Sequence, residues 1–242
     1  FITLLIMRWL TIYLNLFLNS LKNMKIKNFS TYEFNKYNVV GVKAKINFVK
    51  TNNLEIIAHE ELSKPIEEQS INLVKEFEPL LFSADIETTK LVNDKELNID
   101  HLTLLDGHHR YDFIIRNVID LPIEVIIISS NDVNVDSHLS EIKIKKDEFL
   151  DFLKSNKFKL NSNSNVYLKV DNDVYSSDEI FDIYDLYNFK RECFEKGLIS
   201  PFPNDSIRNN ENILSFTPIK LEEFYKENYL FPPKSTWITP RI

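Results

Sequence analysis

Glycine, cysteine and net positive charge are all scarce in this chain, and each shortage narrows what the protein can be. With 3 glycines in 242 residues, every one is conspicuous, and no GxxxxGK phosphate loop exists. The single cysteine, Cys193, permits no intrachain disulfide and leaves no cysteine-rich metal framework. A reducing, cytoplasmic compartment is the expectation. The formal net charge of -7 argues against a general nucleic-acid binder, which wants a basic face; it leaves room for one nucleotide in a locally basic pocket. Internal repeats are also lacking. The length suits one large domain or two small ones with a sizeable core.

One long apolar run is present. Phe1 to Leu21 is interrupted by Arg8, Asn15 and Asn19, and is about long enough to cross a bilayer. It has no basic leading region and no small-residue cleavage site, which disfavours a secretory signal. The stretch after Met24 reads as soluble sequence. The expectation is that residues 1–23 are an upstream extension or a mis-set start, with a membrane anchor as the alternative and no other membrane contact.

From Met24 onward the pattern is mixed α/β. Strands are predicted over Tyr37–Phe48, Leu54–Ile57, Leu80–Phe82, Lys90–Val92 and Leu102–Leu105, with 93–100 as a polar turn. The β-branched run Ile123–Ile128 shows little alternation and reads as a buried strand. A helix with Ile66, Ile71, Val74 and Phe77 on one face is expected before Leu80. After about Ser140 the predicted elements are a helix around Phe149, Phe152 and Leu153, a polar loop at 161–165 and a strand over Val166–Val170. A helix starting at Ser177-Asp178 follows, with Ile180, Ile183, Tyr184, Tyr187 and Phe194 at helical spacing and Gly197 as its stop. Cys193 lies inside it, a poor position for a catalytic thiol. Pro201–Asn212 reads as an irregular loop, and a last helix is expected to begin at Thr217-Pro218.

Two clusters carry chemistry. Asp106-Gly107-His108-His109-Arg110 follows a strand and opens a helix whose Tyr111, Ile114, Ile115 and Val118 recur at one face. A glycine turn allows close backbone approach. The unpaired N–H groups of a first helical turn favour an anion, and two imidazoles and a guanidinium add donors suited to phosphate. Asp106 is either a metal ligand or the helix N-cap. The second cluster, Pro232-Pro233-Lys234-Ser235-Thr236-Trp237, places an ammonium and two hydroxyls on a restricted backbone. His108 and His109 are adjacent, and with His59, His101 and His138 they show no familiar zinc spacing; no metal site built by protein ligands alone is expected.

Together with His59-Glu60, these clusters, in this order from Met24 to the C-terminus, resemble the free L-serine kinases of the ParB/sulfiredoxin superfamily. The resemblance implies an α/β (α+β) fold. A ParB/sulfiredoxin-like nucleotide-binding domain would span 24–140, and a smaller mixed α/β domain over 141–242 would complete an active site in the cleft between them. It implies transfer of a phosphoryl group from ADP or ATP, with Mg2+, to the hydroxyl of free L-serine, giving O-phospho-L-serine for amino-acid metabolism such as cysteine biosynthesis. Asp106, Gly107, His108, His109 and Arg110 would bind the nucleotide phosphates, joined by Lys234, Ser235 and Thr236. Glu60 would be the general base, although the residues alone leave Glu60 and Glu61 open. His138 would stand where the family usually has a tryptophan in the serine pocket, and Trp237 would also bind the substrate.

The superfamily's other chemistries fit less well. Chromosome-partition ParB proteins carry an Arg-rich motif and a DNA-binding helix-turn-helix, and sulfiredoxins need a cysteine where this chain has histidine. The alternative from another class is a non-catalytic nucleotide- or ligand-sensing regulator that kept the pocket.

Overall fold

Apolar residues on alternate strand positions build most of the first part of the chain. The computed structural model describes residues 24–51, 54–62, 78–161, 163–205, 212–226 and 229–242. The chain divides into two units, the first from residues 1–58, 65–133 and 240–242, the second from 59–64 and 134–239. The expectations for residues 1–23 and for a helix over 66–77 lie outside the described residues. Among the described residues no helix is long and apolar enough to cross a membrane.

The first unit contains β1 (Met24–Ile26), β2 (Phe29–Phe34), β3 (Val39–Ile46), β4 (Glu55–Ile57), β5 (Leu80–Ala84), α1 (Thr88–Asn93), β6 (Leu97–Ile99), β7 (His101–Asp106), α2 (His108–Arg116) and β8 (Ile123–Ser129). Six strands form one mixed sheet in the order β2-β3-β8-β5-β7-β4, and β1 pairs with β6. Val42, Ala44 and Ile46, Leu80, Phe82 and Ala84, and Ile123, Val125 and Ile127 point to one core at the strand period of two. Leu81, Ile126 and Ile128 on the alternate positions are also fully buried. That double burial is why Ile123–Ile128 shows so little polar alternation, and the predicted strand is there.

Other expectations for this unit are corrected. Lys90–Val92 lies in the short helix α1. Only Leu91 is buried and Val92 is exposed, so three residues of mixed character could not distinguish a turn of helix from a strand. The polar stretch 93–100 is not all turn: Leu97 and Ile99 alternate inward on β6, which needs β1 as partner. In α2 the buried residues are Phe113 and Ile114. Ile115 is exposed, and Val118 lies beyond the helix end in a left-handed conformation. The Asn117 side chain donates to the Phe113 carbonyl at 2.8 Å and helps close the helix two residues before Val118.

The second unit holds β9 (Asn134–Ser137), β10 (Ser140–Ile142), α3 (Lys146–Ser155), β11 (Phe158–Leu160), β12 (Leu168–Val170), β13 (Asp173–Ser177), α4 (Ile183–Glu195), β14 (Ile199–Pro201), β15 (Ile213–Phe216) and β16 (Thr236–Thr239). An antiparallel sheet runs β11-β13-β12-β15-β10-β14, and β9 pairs with β16. Phe152, Phe158 and Phe189 stack between α3, β11 and α4. The helix expected from Ser177 begins instead at Ile183. Ser177 ends β13, and Asp182 caps α4 by accepting from Asp185 N at 2.9 Å. The helix expected from Thr217 shrinks to a 3-10 turn, Leu221–Tyr225, because Thr217 is tied by backbone and hydroxyl to Tyr167.

Candidate functional site

In the first unit, β7 delivers the Asp-Gly-His-His-Arg motif to the start of α2. Phe82 pairs with Leu104 and Leu81 with Asp106, so β7 carries one extra residue just before the motif, a bulge that re-aims the strand end. Gly107 then turns the chain with φ +92°. A Cβ there would sit 2.6 Å from Leu80 Cδ2 and 3.0 Å from Arg110 Nη2, so both the conformation and the close approach call for glycine. Gly107, not Asp106, is the N-cap of α2. The left-handed turn at 107 sets Asp106 back by one residue, and its Oδ1 accepts from Gly107 N at 2.8 Å instead of from the helix. The first backbone bond of α2 is Tyr111 N to Gly107 O, 2.8 Å. The N–H groups of His108, His109 and Arg110 therefore lie in the first turn, ahead of that bond, at the positive end of the dipole. Arg110 Nη1 donates to the Glu78 carbonyl at 2.8 Å, with the exposed Glu78 carboxylate 3.5 Å away. Tyr111 packs edge-on to Phe48 and Phe82, and burial pushes its phenol up to about 12.

In the second unit, segments far apart in sequence meet around Glu60. Phe231 N donates to His59 O and Glu61 N to Phe231 O, both at 2.8 Å, which pins the His-Glu step beside the diproline. Glu60 Oε1 accepts from Thr236 N and from Thr236 Oγ1, each at 2.6 Å, and Oε2 accepts from Lys234 N at 3.1 Å. Since the Thr236 hydroxyl gives its proton to the carboxylate, His59 Nε2–H, 3.1 Å away, is the donor to Thr236 Oγ1. His59 is fully buried and stacks on Phe224, ring centroids 3.7 Å apart. Glu61 points elsewhere, to Arg191 Nη2 at 2.9 Å. Adjacent residues on an extended segment face opposite ways, and here the two carboxylates have separate partners.

The Lys-Ser-Thr segment divides its roles. Lys234 has φ +59°, so the turn after the diproline is held in a conformation non-glycine residues rarely adopt. Ser235 is wholly buried and its hydroxyl donates to Pro232 O at 2.6 Å, closing that turn. Thr236 opens β16, where it pairs with Ser137, and Trp237 with Asp136. His138 therefore follows the strand that lies beside Trp237, and the two rings meet edge-to-face at 5.4 Å. His138 Nδ1 donates to Leu139 O at 2.9 Å, leaving Nε2 as the acceptor of the neutral ring. Burial holds this imidazole below the usual histidine range, the ammonium groups of Lys190 and Lys234 acting in the same direction and the Leu139 carbonyl and Glu60 against it. The sequence-predicted residues Glu60, His138, Lys234, Ser235, Thr236 and Trp237 thus share the second unit, whereas Asp106 to Arg110 belong to the first.

Sequence reasoning missed Lys190. It is fully buried on α4, and its ammonium donates to the carbonyls of Lys234 at 2.9 Å and His138 at 3.3 Å. Its signal was its spacing: Lys190 falls in line with Ile183, Leu186, Tyr187 and Cys193, all on the buried face. Among the described residues, no group of three His, Cys, Asp or Glu side chains could hold a metal ion.

No family model and no curated protein matches the chain. Solved structures do. SbnI with a C-terminal truncation, from Staphylococcus aureus, aligns over 83% of this chain and 84% of its own at 9% identity with a TM-score of 0.54. A free serine kinase in complex with AMP aligns over 82% of this chain and 86% of its own, at 14% identity and a TM-score of 0.45. A conserved hypothetical protein from Pyrococcus furiosus covers 84% and 92% respectively, at 13% identity and a TM-score of 0.46. The chain has a mixed α/β fold similar to that of SbnI.

Proposed function

We propose that the protein is a phosphotransferase acting on a free amino acid, with L-serine as acceptor and ADP or ATP as donor. The observation that carries this reading is the set of hydrogen bonds from Lys234 and Thr236 to the Glu60 carboxylate, across 174 and 176 residues of sequence. Two of the three pieces of the motif resemblance are one constellation, which chance similarity of short motifs does not require. In the proposed reaction the first unit contributes the anion-binding start of α2: the N–H groups of 108–110, the two imidazoles and Arg110 bind the nucleotide phosphates. The second unit contributes Glu60 as base, Lys234 and Thr236 as phosphate and acceptor contacts, and His138 and Trp237 as the acceptor pocket. Ser235 acts through the turn it closes.

The step is a displacement at the terminal phosphorus. The serine hydroxyl oxygen forms the new P–O bond as the bond to the leaving phosphate oxygen breaks, and the hydroxyl proton passes to Glu60. Mg2+ would enter with the nucleotide, since it prefers phosphates and water to an all-protein cage; Asp106 is the motif carboxylate available to it. It would supply charge neutralisation on the phosphate oxygens.

A specific observation favours a second reading. Glu60 already serves as an acceptor for the 234–236 turn, so it could be a clamp in a nucleotide-sensing protein that transfers nothing. Incubating the full chain with Mg2+, ADP or ATP and free amino acids separates the two. Phosphoserine detected by mass, abolished in Glu60→Gln while nucleotide affinity is kept, supports the kinase. Glutamine keeps an acceptor for Thr236 while the base is lost, and gives up only the bond from Lys234 N. Undiminished turnover in Glu60→Gln removes Glu60 from the chemistry, and nucleotide binding without product leaves the sensor.

A further inference from the structure

Lys190 is an expensive residue for its position. Its ammonium lies inside the second unit, 5.0 Å from the ring centre of Phe216 and 5.3 Å from that of Tyr187, and no carboxylate of the described residues is within ion-pair distance. Burying an ammonium without a counter-ion is strongly unfavourable, and an apolar side chain of similar volume would usually serve stability as well or better. Burial accordingly drops its pKa to about 7, with Glu60 opposing the drop.

What the ammonium touches is informative. Both of its acceptors are backbone carbonyls of residues in the proposed site, Lys234 and His138. The same short segment is held from the other side. Lys234 N and Thr236 N donate to Glu60, and His138 N donates to Ser235 O at 3.0 Å. The left-handed turn at Lys234 thus has its N–H bound by a carboxylate and its carbonyl bound by an ammonium.

We propose that Lys190 is a positioning residue, whose buried amino group, by donating to both carbonyls, locks the Lys234–Thr236 turn and the His138 backbone in place against Glu60. It touches neither nucleotide nor acceptor. Its contribution is pre-organisation of groups that do, and misplacement of such groups by about 1 Å can lower turnover about 100-fold. The catalytic part of the inference rests on the kinase reading above; the positioning part does not.

The test uses the full chain with Lys190→Met, which keeps the stem and removes the charge, and Lys190→Gln, which keeps an N–H donor. Hydrogen exchange of peptides spanning 229–239 is compared with that of β12, β15 and α4, alongside kcat, KM for serine and nucleotide affinity. Expected for Lys190→Met is at least a tenfold loss of protection confined to 229–239 and a fall in kcat of about 100-fold. Lys190→Gln should lie between. Unchanged protection and kcat overturn the proposal. So does loss of protection throughout the second unit, or failure of both variants to fold, since either makes Lys190 a stability residue only. If the wild type phosphorylates no amino acid, the kinase reading fails by itself, and the exchange comparison still decides whether Lys190 positions the turn.

Discussion

Replacing Gly107 with alanine separates two costs that the structure assigns to this position, because Gly197 supplies a control with only one of them. Both glycines have positive φ, +92° and +66°. A Cβ at Gly197 would meet nothing within 4 Å, whereas at Gly107 it would lie 2.6 Å from Leu80 Cδ2. Left-handed backbone costs an L-residue about 1–2 kcal/mol, the full expectation for Gly197→Ala. Carbon atoms prefer separations of about 3.5–4.0 Å, so the Leu80 methyl must retreat by roughly 1 Å. Leu80 is 1% exposed and belongs to the sheet core, and forcing extra volume into such a core adds about 1–3 kcal/mol. Gly107→Ala should therefore cost about 2–5 kcal/mol. Native-state hydrogen exchange reads each unit by its own amides: β3 and β8 for Gly107→Ala, and α4 for Gly197→Ala. The inserted methyl also lies 3.0–3.1 Å from the Arg110 guanidinium, so ADP affinity should fall as well. Equal costs for the two substitutions, within about 0.5 kcal/mol, would refute the close approach to Leu80 and with it the packing account of the motif turn.

Two further outcomes follow from buried groups. Cys193 is fully buried and burial pushes its thiol up to about 12, so a thiol reagent at pH 8 should leave the native protein unlabelled and react only in denaturant; prompt labelling of folded protein would contradict its placement. Lys190 has a folded pKa of about 7 against an ordinary 10.5, so between those values the unfolded chain binds the extra proton and stability rises with pH. Its contribution is present above the ordinary value and is lost as pH falls through about 7. Urea unfolding between pH 7 and 9 should show a rise of about 2–3 kcal/mol in the second unit, absent in Lys190→Met; an equal rise in that variant would assign it to another group.

Some elements are legible from local sequence alone. Ile123–Ile128 is apolar at almost every position, which only a doubly buried strand or helix tolerates, and its β-branched content chose the strand. The helical spacing of Ile183, Tyr187 and Phe194 marks α4 but not its start, because Ser177-Asp178 and Asp182 offer the same capping chemistry. Only Asp182 is followed directly by the buried face. Lys90–Val92 and Leu97–Ile99, three residues each, carry no measurable period, and their structure comes from Leu91 packing inward and from β1 pairing with β6.

The candidate site divides in the same way. The amino-acid order by itself determined that a glycine turn opens a helix at His108 and that a rigid proline pair precedes Lys234, since turn and capping preferences act over a few residues. Which carboxylate of the Glu60-Glu61 pair faces Thr236, why Ser235 turns inward, and that a lysine on an aromatic helix holds the Lys234 and His138 carbonyls were decided only by tertiary structure. Hydrogen-bond partners of a buried charge are chosen by proximity in space, and no local pattern records a neighbour that lies dozens of residues away.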